Sequence, residues 1–302
     1  MAKKNDSDVC AAITQHSSGL RYLELKGKAG AFKVVKQAVI PLTRAGSADS
    51  VASVLMKEVG SFSEPVVFGL PMRDCMTRVI EFPRMPIEEA KLALQFDFDR
   101  HFTWPYSECS VDACEVSSPL TPSKDKMSML VAVSRNEHIS RIVQISEKAG
   151  IELKAIEPMN VAVLRAVIGH QKNRSEEAWY SVYSDADGLH FAFVDNENGL
   201  IYRSSPAGIN GIIDAGNEED VQRAMSEIQR TISFVSNQFK GVQTELLVLS
   251  GAIAGNSDIV KEIENSVGLK VKNVNVYEQC GIKSGELAIG FEPALGLCMR
   301  SL

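Results

Sequence analysis

Two stretches of this chain run through the same order of elements, and that repetition constrains the fold more than any single motif. Residues 9–42 hold strand-like runs separated by the turn compositions "HSSG" and "KGKAG". A helix follows in "SADSVASVLMKEVG", where Val51, Val54, Leu55 and Val59 share a face and Ser47 or Asp49 can cap the start. Then comes "PVVFGLP", a short apolar run between prolines, as a buried central strand requires. The second half repeats the order. "AWYSVYSDADGLHFAFVDNENGLIYRSS" carries Asp187-Gly188 and Asn198-Gly199, strong hairpin signals that join three strands. The amphipathic helix "EEDVQRAMSEIQRTISFVSNQF" and the buried strand "ELLVLSG" come next. Both halves therefore read as a β-β-β-α-β unit, which is a duplication.

Between them, over about residues 72–157, the pattern changes. "TRVIEFPRM", "CSVDACEV" and "MLVAVSR" are strand-like. "PIEEAKLALQFDFDRHF" is a helix opened by Pro86, with Glu88 and Glu89 in its first turn, and "HISRIVQISEKAGIEL" is a helix ending at Gly150. This is a compact α+β insert. "EPMNVAVLRAVIGH" reads as the helix that returns to the first half, and the polar "QKNRSEE", residues 171–177, as the hinge. The expected organisation is α/β: a first lobe over 1–173 that holds the insert, and a second lobe over 174–302.

A formal net charge of -6 supplies no global positive field, so nucleic acid is not an expected partner. The start, "MAKKNDSDVC", has no apolar run behind its lysines, so it does not read as a signal peptide. No run of about eighteen apolar residues occurs, so no membrane span of its own is expected. The 6 cysteines form no Cys-x-x-Cys pair and the 5 histidines are dispersed, which leaves no metal site and favours buried, reduced thiols in a cytoplasmic protein.

Three local features admit more than one use. In "LVLSGAIAGNSDIVKEIENSVG" the small residues Ser250, Gly251, Ala252 and Gly255 at the end of a strand let something approach the backbone, either a nucleotide or a neighbouring element. His16, Ser17 and Ser18 read as a turn, because adjacent strand residues point to opposite faces and His16 cannot serve Ser17 as a base. The aromatic residues Phe96, Phe98, Phe102 and Trp104 read as core, with a groove for a partner peptide as the alternative.

Taken in order, "GLP......RVIEFPRMP", "QFDFDRHFTWPYSE", "MLVAVSR", "KAGIELKAIEPMNVAVLRA", "EIQRTISFVSNQF", "LVLSGAIAG" and "AIGFEPALGLCMR" resemble the PilM family, the cytoplasmic actin-like proteins of type IV pilus assembly. The resemblance implies the actin/hexokinase/Hsp70 fold, with two duplicated lobes around a nucleotide cleft. The cytoplasmic domain of the type II secretion L protein shares that fold.

The family's phosphate loops usually read Asp-Ile-Gly, where an aspartate helps to bind Mg²⁺ and glycine opens the backbone to phosphate. Matching "YLEL" places Thr14, Gln15 and His16 at those positions, followed by Ser17 and Ser18, so the first loop looks decayed. In the second, Tyr183 falls on the aspartate and Asp185 on the glycine. A slip of two residues would return Asp185 to a metal-binding role, and a plain hairpin turn is the other reading of Asp185, Asp187 and Gly188. Ser250-Gly251-Ala252 matches the turn near adenosine. Glu227 and Arg230 match the helix facing base and ribose, or are an i, i+3 charge pair in solvent.

The resemblance thus implies a non-catalytic scaffold with a degenerate nucleotide site and no cofactor, or ATP/Mg if the second loop works. As partner it implies the cytoplasmic tail of a single-span, PilN-like inner-membrane protein, which would hold the chain peripherally at the membrane. The alternatives are an ATP-binding switch or slow ATPase of the same machinery, and the type II secretion L-type component.

Overall fold

The computed structural model describes residues 9–28, 30–42, 46–118, 124–169, 178–206, 218–239, 242, 244–283 and 285–301. The hinge expected at 171–177, the lobe boundary at 173/174 and residues 1–8 of the start lie outside them. In chain order the elements are β1 (Val9–His16), β2 (Gly19–Lys26), β3 (Lys33–Pro41), α1 (Ala48–Val59), β4 (Val66–Leu70), β5 (Cys75–Pro83), α2 (Ile87–His101), β6 (Cys109–Val116), β7 (Lys126–Arg135), α3 (Asn136–Ala149), β8 (Leu153–Pro158) and α4 (Met159–Ile168). They continue with β9 (Ala178–Asp185), β10 (Gly188–Asp195), β11 (Asn198–Ser205), α5 (Glu218–Gln238), β12 (Leu246–Gly251), α6 (Ser257–Val267), β13 (Lys270–Asn273), α7 (Val276–Gln279) and α8 (Glu292–Cys298).

These elements group into two units. The first takes in Met1–Pro71, Ser140–Gln171 and Asn275–Leu302; the second takes in Met72–Ile139 and Lys172–Val274. The last stretch of the chain thus folds with the first half. The insert residues Met72–Ile139 group with the second, whereas β8, read as part of the insert, pairs with β4.

The first unit's sheet has the order β3-β2-β1-β4-β8, and the second unit's has β11-β10-β9-β12-β13. In each, the first three strands form an antiparallel meander and the last two run parallel to the third. The expected duplication is present, one strand longer per copy.

The two first hairpins match residue for residue. His16 pairs with Gly19 and Asp185 with Gly188, and these glycines have φ of +142° and +149°. A Cβ would lie 2.1 Å from the Ile40 carbonyl oxygen in one and 2.3 Å from that of Ser205 in the other. The third strand crosses the turn in both copies, and only glycine leaves it room. This register equates Thr14 with Tyr183, Gln15 with Ser184 and His16 with Asp185.

In the first unit, Ser47 caps α1 through its hydroxyl, and Val51, Leu55 and Val59 are buried. Every residue of α8 is buried, and it packs on α4 and on β1, β2 and β4. In the second unit, α5 buries Val221, Ala224, Met225, Ile228 and Val235, spaced at three and four, against Leu247, Leu249, Phe191 and Phe193 of the sheet.

The insert is a three-stranded antiparallel sheet, β5-β7-β6, covered by α2. Ala90, Leu94, Phe98 and Phe102 recur every fourth residue and form its core, where the Phe98 and Phe102 rings stack at 4.8 Å. Phe96 departs from the expected aromatic core, at 93% exposed. Two residues turn a helix through about 200°, so Phe96 faces away from Phe98. Trp104 is partly buried, with the Arg135 guanidinium over its ring at 5.4 Å.

All six cysteines are free thiols. Cys10, Cys75, Cys280 and Cys298 are buried as expected, Cys109 is half-buried and Cys114 is exposed.

Candidate functional site

The end of β1 holds the first candidate group. Thr14 is fully buried, its methyl facing Gly69, and its hydroxyl lies 3.0 Å from His16 Nε2. Ser17 is half-buried and Ser18 exposed at the turn. The Ser18 carbonyl accepts the Leu42 N–H at 3.4 Å, which fastens the end of β3. The strand end thus offers hydroxyl and imidazole groups.

The matching turn of the second unit is built differently. Asp185 is buried, and its Oδ1 accepts the Asp187 N–H at 2.8 Å, an Asx turn that closes the hairpin. Its Oδ2 accepts the Tyr183 hydroxyl at 3.2 Å, and His190 Nε2 stands 3.4 Å from Oδ1. Asp187 faces the Arg73 guanidinium at 3.7 Å. The Asp185 carboxylate is directed into its own hairpin and the neighbouring strand.

β12 pairs beside this strand, Ser250 with Tyr183 and Gly251 with Ser184. Gly251 has φ of +73°, and a Cβ there would lie 2.2 Å from the Ser184 carbonyl and 2.7 Å from the Tyr183 ring. Gly251 therefore makes room for the neighbouring strand and its tyrosine, whereas a Cβ at Gly255 would meet nothing within 4 Å. The Ser184 hydroxyl accepts the Ile253 N–H at 2.8 Å and holds the turn after Gly251. Ser250 is fully buried, and its hydroxyl has no hydrogen-bond partner among the described residues.

On α5, Arg230 donates to Glu227 at 2.6 Å across one helical turn. Glu227 is the more covered of the two, and Arg230 is two-thirds exposed. The predicted residues thus fall into separate sets: Thr14, Ser17 and Ser18 in the first unit, and in the second Asp185 with Ser250 and Gly251, plus the Glu227–Arg230 pair.

Reading the sequence missed two side chains of this region, His190 and Ser204. They are directly paired across β10 and β11, with His190 Nδ1 3.0 Å from the Ser204 hydroxyl. Fourteen positions apart in sequence, they meet only once strand register is known. Among the described residues, no group of three or more His, Cys, Asp or Glu is placed to hold a metal ion.

Comparison with known proteins fits this architecture. The family model described as "Type IV pilus assembly protein PilM" matches residues 13–179. The chain is similar to a solved structure of a PilM-PilN type IV pilus biogenesis complex, at TM-score 0.74 and 16% identity, over 96% of this chain and 98% of that one. It is also similar to the cytoplasmic domain of EpsL, an inner-membrane component of the type II secretion system of Vibrio cholerae, at TM-score 0.51 and 10% identity, over 90% and 91%. A protein of Bacteroides thetaiotaomicron with an actin-like ATPase fold matches at TM-score 0.52 and 10% identity, over 93% and 98%. No curated protein sequence matches the chain. The fold is the actin-like ATPase fold.

Proposed function

The chain belongs to the family of type IV pilus assembly proteins PilM, and from that premise we propose that it is a non-catalytic cytoplasmic scaffold of pilus assembly whose nucleotide site has decayed. One observation carries the reading. Where the resemblance puts the metal-binding aspartate of the second phosphate loop, Tyr183 stands with its ring against Gly251, and the nearby Asp185 carboxylate is engaged by the Asp187 N–H, the Tyr183 hydroxyl and His190. The first loop has Thr14 in place of a carboxylate. A hydroxyl cannot neutralise Mg²⁺ as a carboxylate does, and hydrolysis in this fold works through metal and positioned water. The residues present do not fit Mg²⁺-ATP, and no catalytic step follows from them.

As a scaffold it would dock the cytoplasmic tail of a single-span inner-membrane protein like the PilN of the similar complex. Among the described residues no helix is long and apolar enough to cross a membrane. Association with the membrane would then come through that partner. Recognition of a short tail by shape and apolar contact needs no bound nucleotide.

Isothermal titration of ATP against the full chain, with and without Mg²⁺, tests the reading. No heat of binding at millimolar nucleotide is expected. Micromolar, Mg²⁺-dependent binding would overturn the decayed site, favour the ATP-binding switch, and make Asp185 the first residue to mutate. A parallel titration with a synthetic PilN-type cytoplasmic tail is expected to show binding without nucleotide, and the same peptide from a type II secretion partner separates the two machines.

A further inference from the structure

The second unit carries a chain of groups that the scaffold role does not use. Asp185 at the end of β9, His190 on β10 and Ser204 on β11 stand on three adjacent antiparallel strands. The Asp185 carboxylate is fixed by the Asp187 N–H at 2.8 Å and the Tyr183 hydroxyl at 3.2 Å. It faces His190 Nε2 at 3.4 Å, and the Tyr183 ring lies nearly parallel to the imidazole at 5.7 Å between centroids. A carboxylate only accepts, so Asp185 selects the tautomer with the proton on Nε2 and leaves Nδ1 as an acceptor. Nδ1 lies 3.0 Å from the Ser204 hydroxyl. The Met72 sulfur is a weaker, alternative acceptor for that hydroxyl, at 3.8 Å.

Exposure follows the same order. Asp185 and His190 are buried, whereas Ser204 is exposed on β11, the edge strand of its sheet. An exposed hydroxyl needs no histidine to satisfy it, since water does so. A serine at the surface, a base within hydrogen-bond reach and a third group orienting that base are the elements of an activated nucleophile.

We propose that Ser204 is a nucleophilic modification site that takes an acyl or phosphonyl group from an uncharged electrophilic ester or fluoride. The Ser204 Oγ forms a bond to the carbonyl carbon or phosphorus, and its proton passes to His190 Nδ1. The bond to the leaving group then breaks, and that group departs with its electron pair, taking the proton back from His190. Asp185 stays ionised and holds the imidazolium through Nε2–H. No oxidant, reductant or further reactant enters. The inference does not depend on the scaffold reading.

The test is labelling of the full chain with a fluorophosphonate–biotin probe, with sites read by peptide mass spectrometry. Ser53 serves as internal reference: it is exposed, and its hydroxyl donates to the Asp49 carbonyl at 2.8 Å. Ser204 is expected to label at least tenfold faster than Ser53, and Ser204→Ala to remove that label alone. Asp185→Asn and His190→Asn are expected to slow Ser204 labelling tenfold or more with Ser53 unchanged. Equal rates at the two serines, or Ser204 labelling indifferent to folded His190→Asn, overturn the proposal. If neither of those variants folds, the Ser204 to Ser53 ratio in the unmodified chain decides it.

Discussion

Glu157, the penultimate residue of β8, is buried between two arginines and ties the end of the chain to the first unit. Arg165 Nη2 donates to one carboxylate oxygen at 2.5 Å, and Arg300 Nη1 to the other at 3.2 Å. Arg165 also reaches back through Nη1 to the Gly296 carbonyl at 2.8 Å, near the end of α8. Glu157→Gln keeps the shape and removes the charge that both guanidiniums face. A shielded, charge-assisted bond contributes about 1.5–3 kcal/mol. The Arg165 side chain is 31% exposed and that of Arg300 is 47%, so the second bond belongs near the value of a surface pair, about 0.5 kcal/mol. The expected loss is about 2–3.5 kcal/mol, toward or under the low end of the ~3–5 kcal/mol range for a fully buried pair, because both arginines keep some water. Urea unfolding reads the loss, and native-state amide exchange localises it to residues 292–301 and β8. Arg300→Ala is expected to cost under about 1 kcal/mol in the same assay, for its partner keeps Arg165. A Glu157→Gln loss under about 0.5 kcal/mol, or unchanged exchange across α8, would refute the claim that this carboxylate holds the chain end in place.

Two other predictions separate neighbours in sequence and groups by proton affinity. Phe98→Ala is expected to cost about 3–5 kcal/mol by thermal or urea unfolding, because a core ring stacked on Phe102 is removed, whereas Phe96→Ala two residues earlier should stay within about 0.5 kcal/mol. Burial pushes the Cys75 thiol up from an ordinary value near 9 to about 12. The unfolded chain then loses that proton first, so the Cys75 contribution is whole below about pH 9 and disappears as pH rises to about 12. Stability of Cys75→Ala measured across that window should fall less steeply than that of the parent; parallel curves would remove Cys75 from the account.

The fold was legible where local chemistry and global pattern agree, and illegible where an element's identity comes from its neighbours. The hairpins were announced by Asp187-Gly188 and Asn198-Gly199, but the turns sit earlier, at residues 186–187 and at Asn196-Glu197, whose φ are +45° and +70°. Asn198 and Gly199 already pair in β11. Helix α1 was announced by Ser47 and the spacing of Val51, Leu55 and Val59. The fifth strands were not. β8 carries Lys154 and Glu157 and β13 is the short run "KVKN", so each is an edge strand with little apolar alternation, and each exists because β4 or β12 offers it a paired edge. The long-range return of α8 to the first unit is likewise written in packing, with no local signal in "EPALGLC" to say which core it enters.

The candidate site divides the same way. Its glycines were readable as places of close approach, but whether a ligand or the protein itself approaches depends on which side chain lies opposite. Gly251 faces Tyr183, an internal neighbour fixed only by the β9–β12 register. Asp185 shows how far the ambiguity reaches. Sequence spacing alone allowed a metal ligand or a turn residue, and the structure adds a third surrounding, a carboxylate beside a buried imidazole that reaches an exposed serine. A residue's role follows from the partners that the fold brings to it, and those of Asp185 are the Asp187 N–H, the Tyr183 hydroxyl and the His190 imidazole, a surrounding that suits a carboxylate orienting a base.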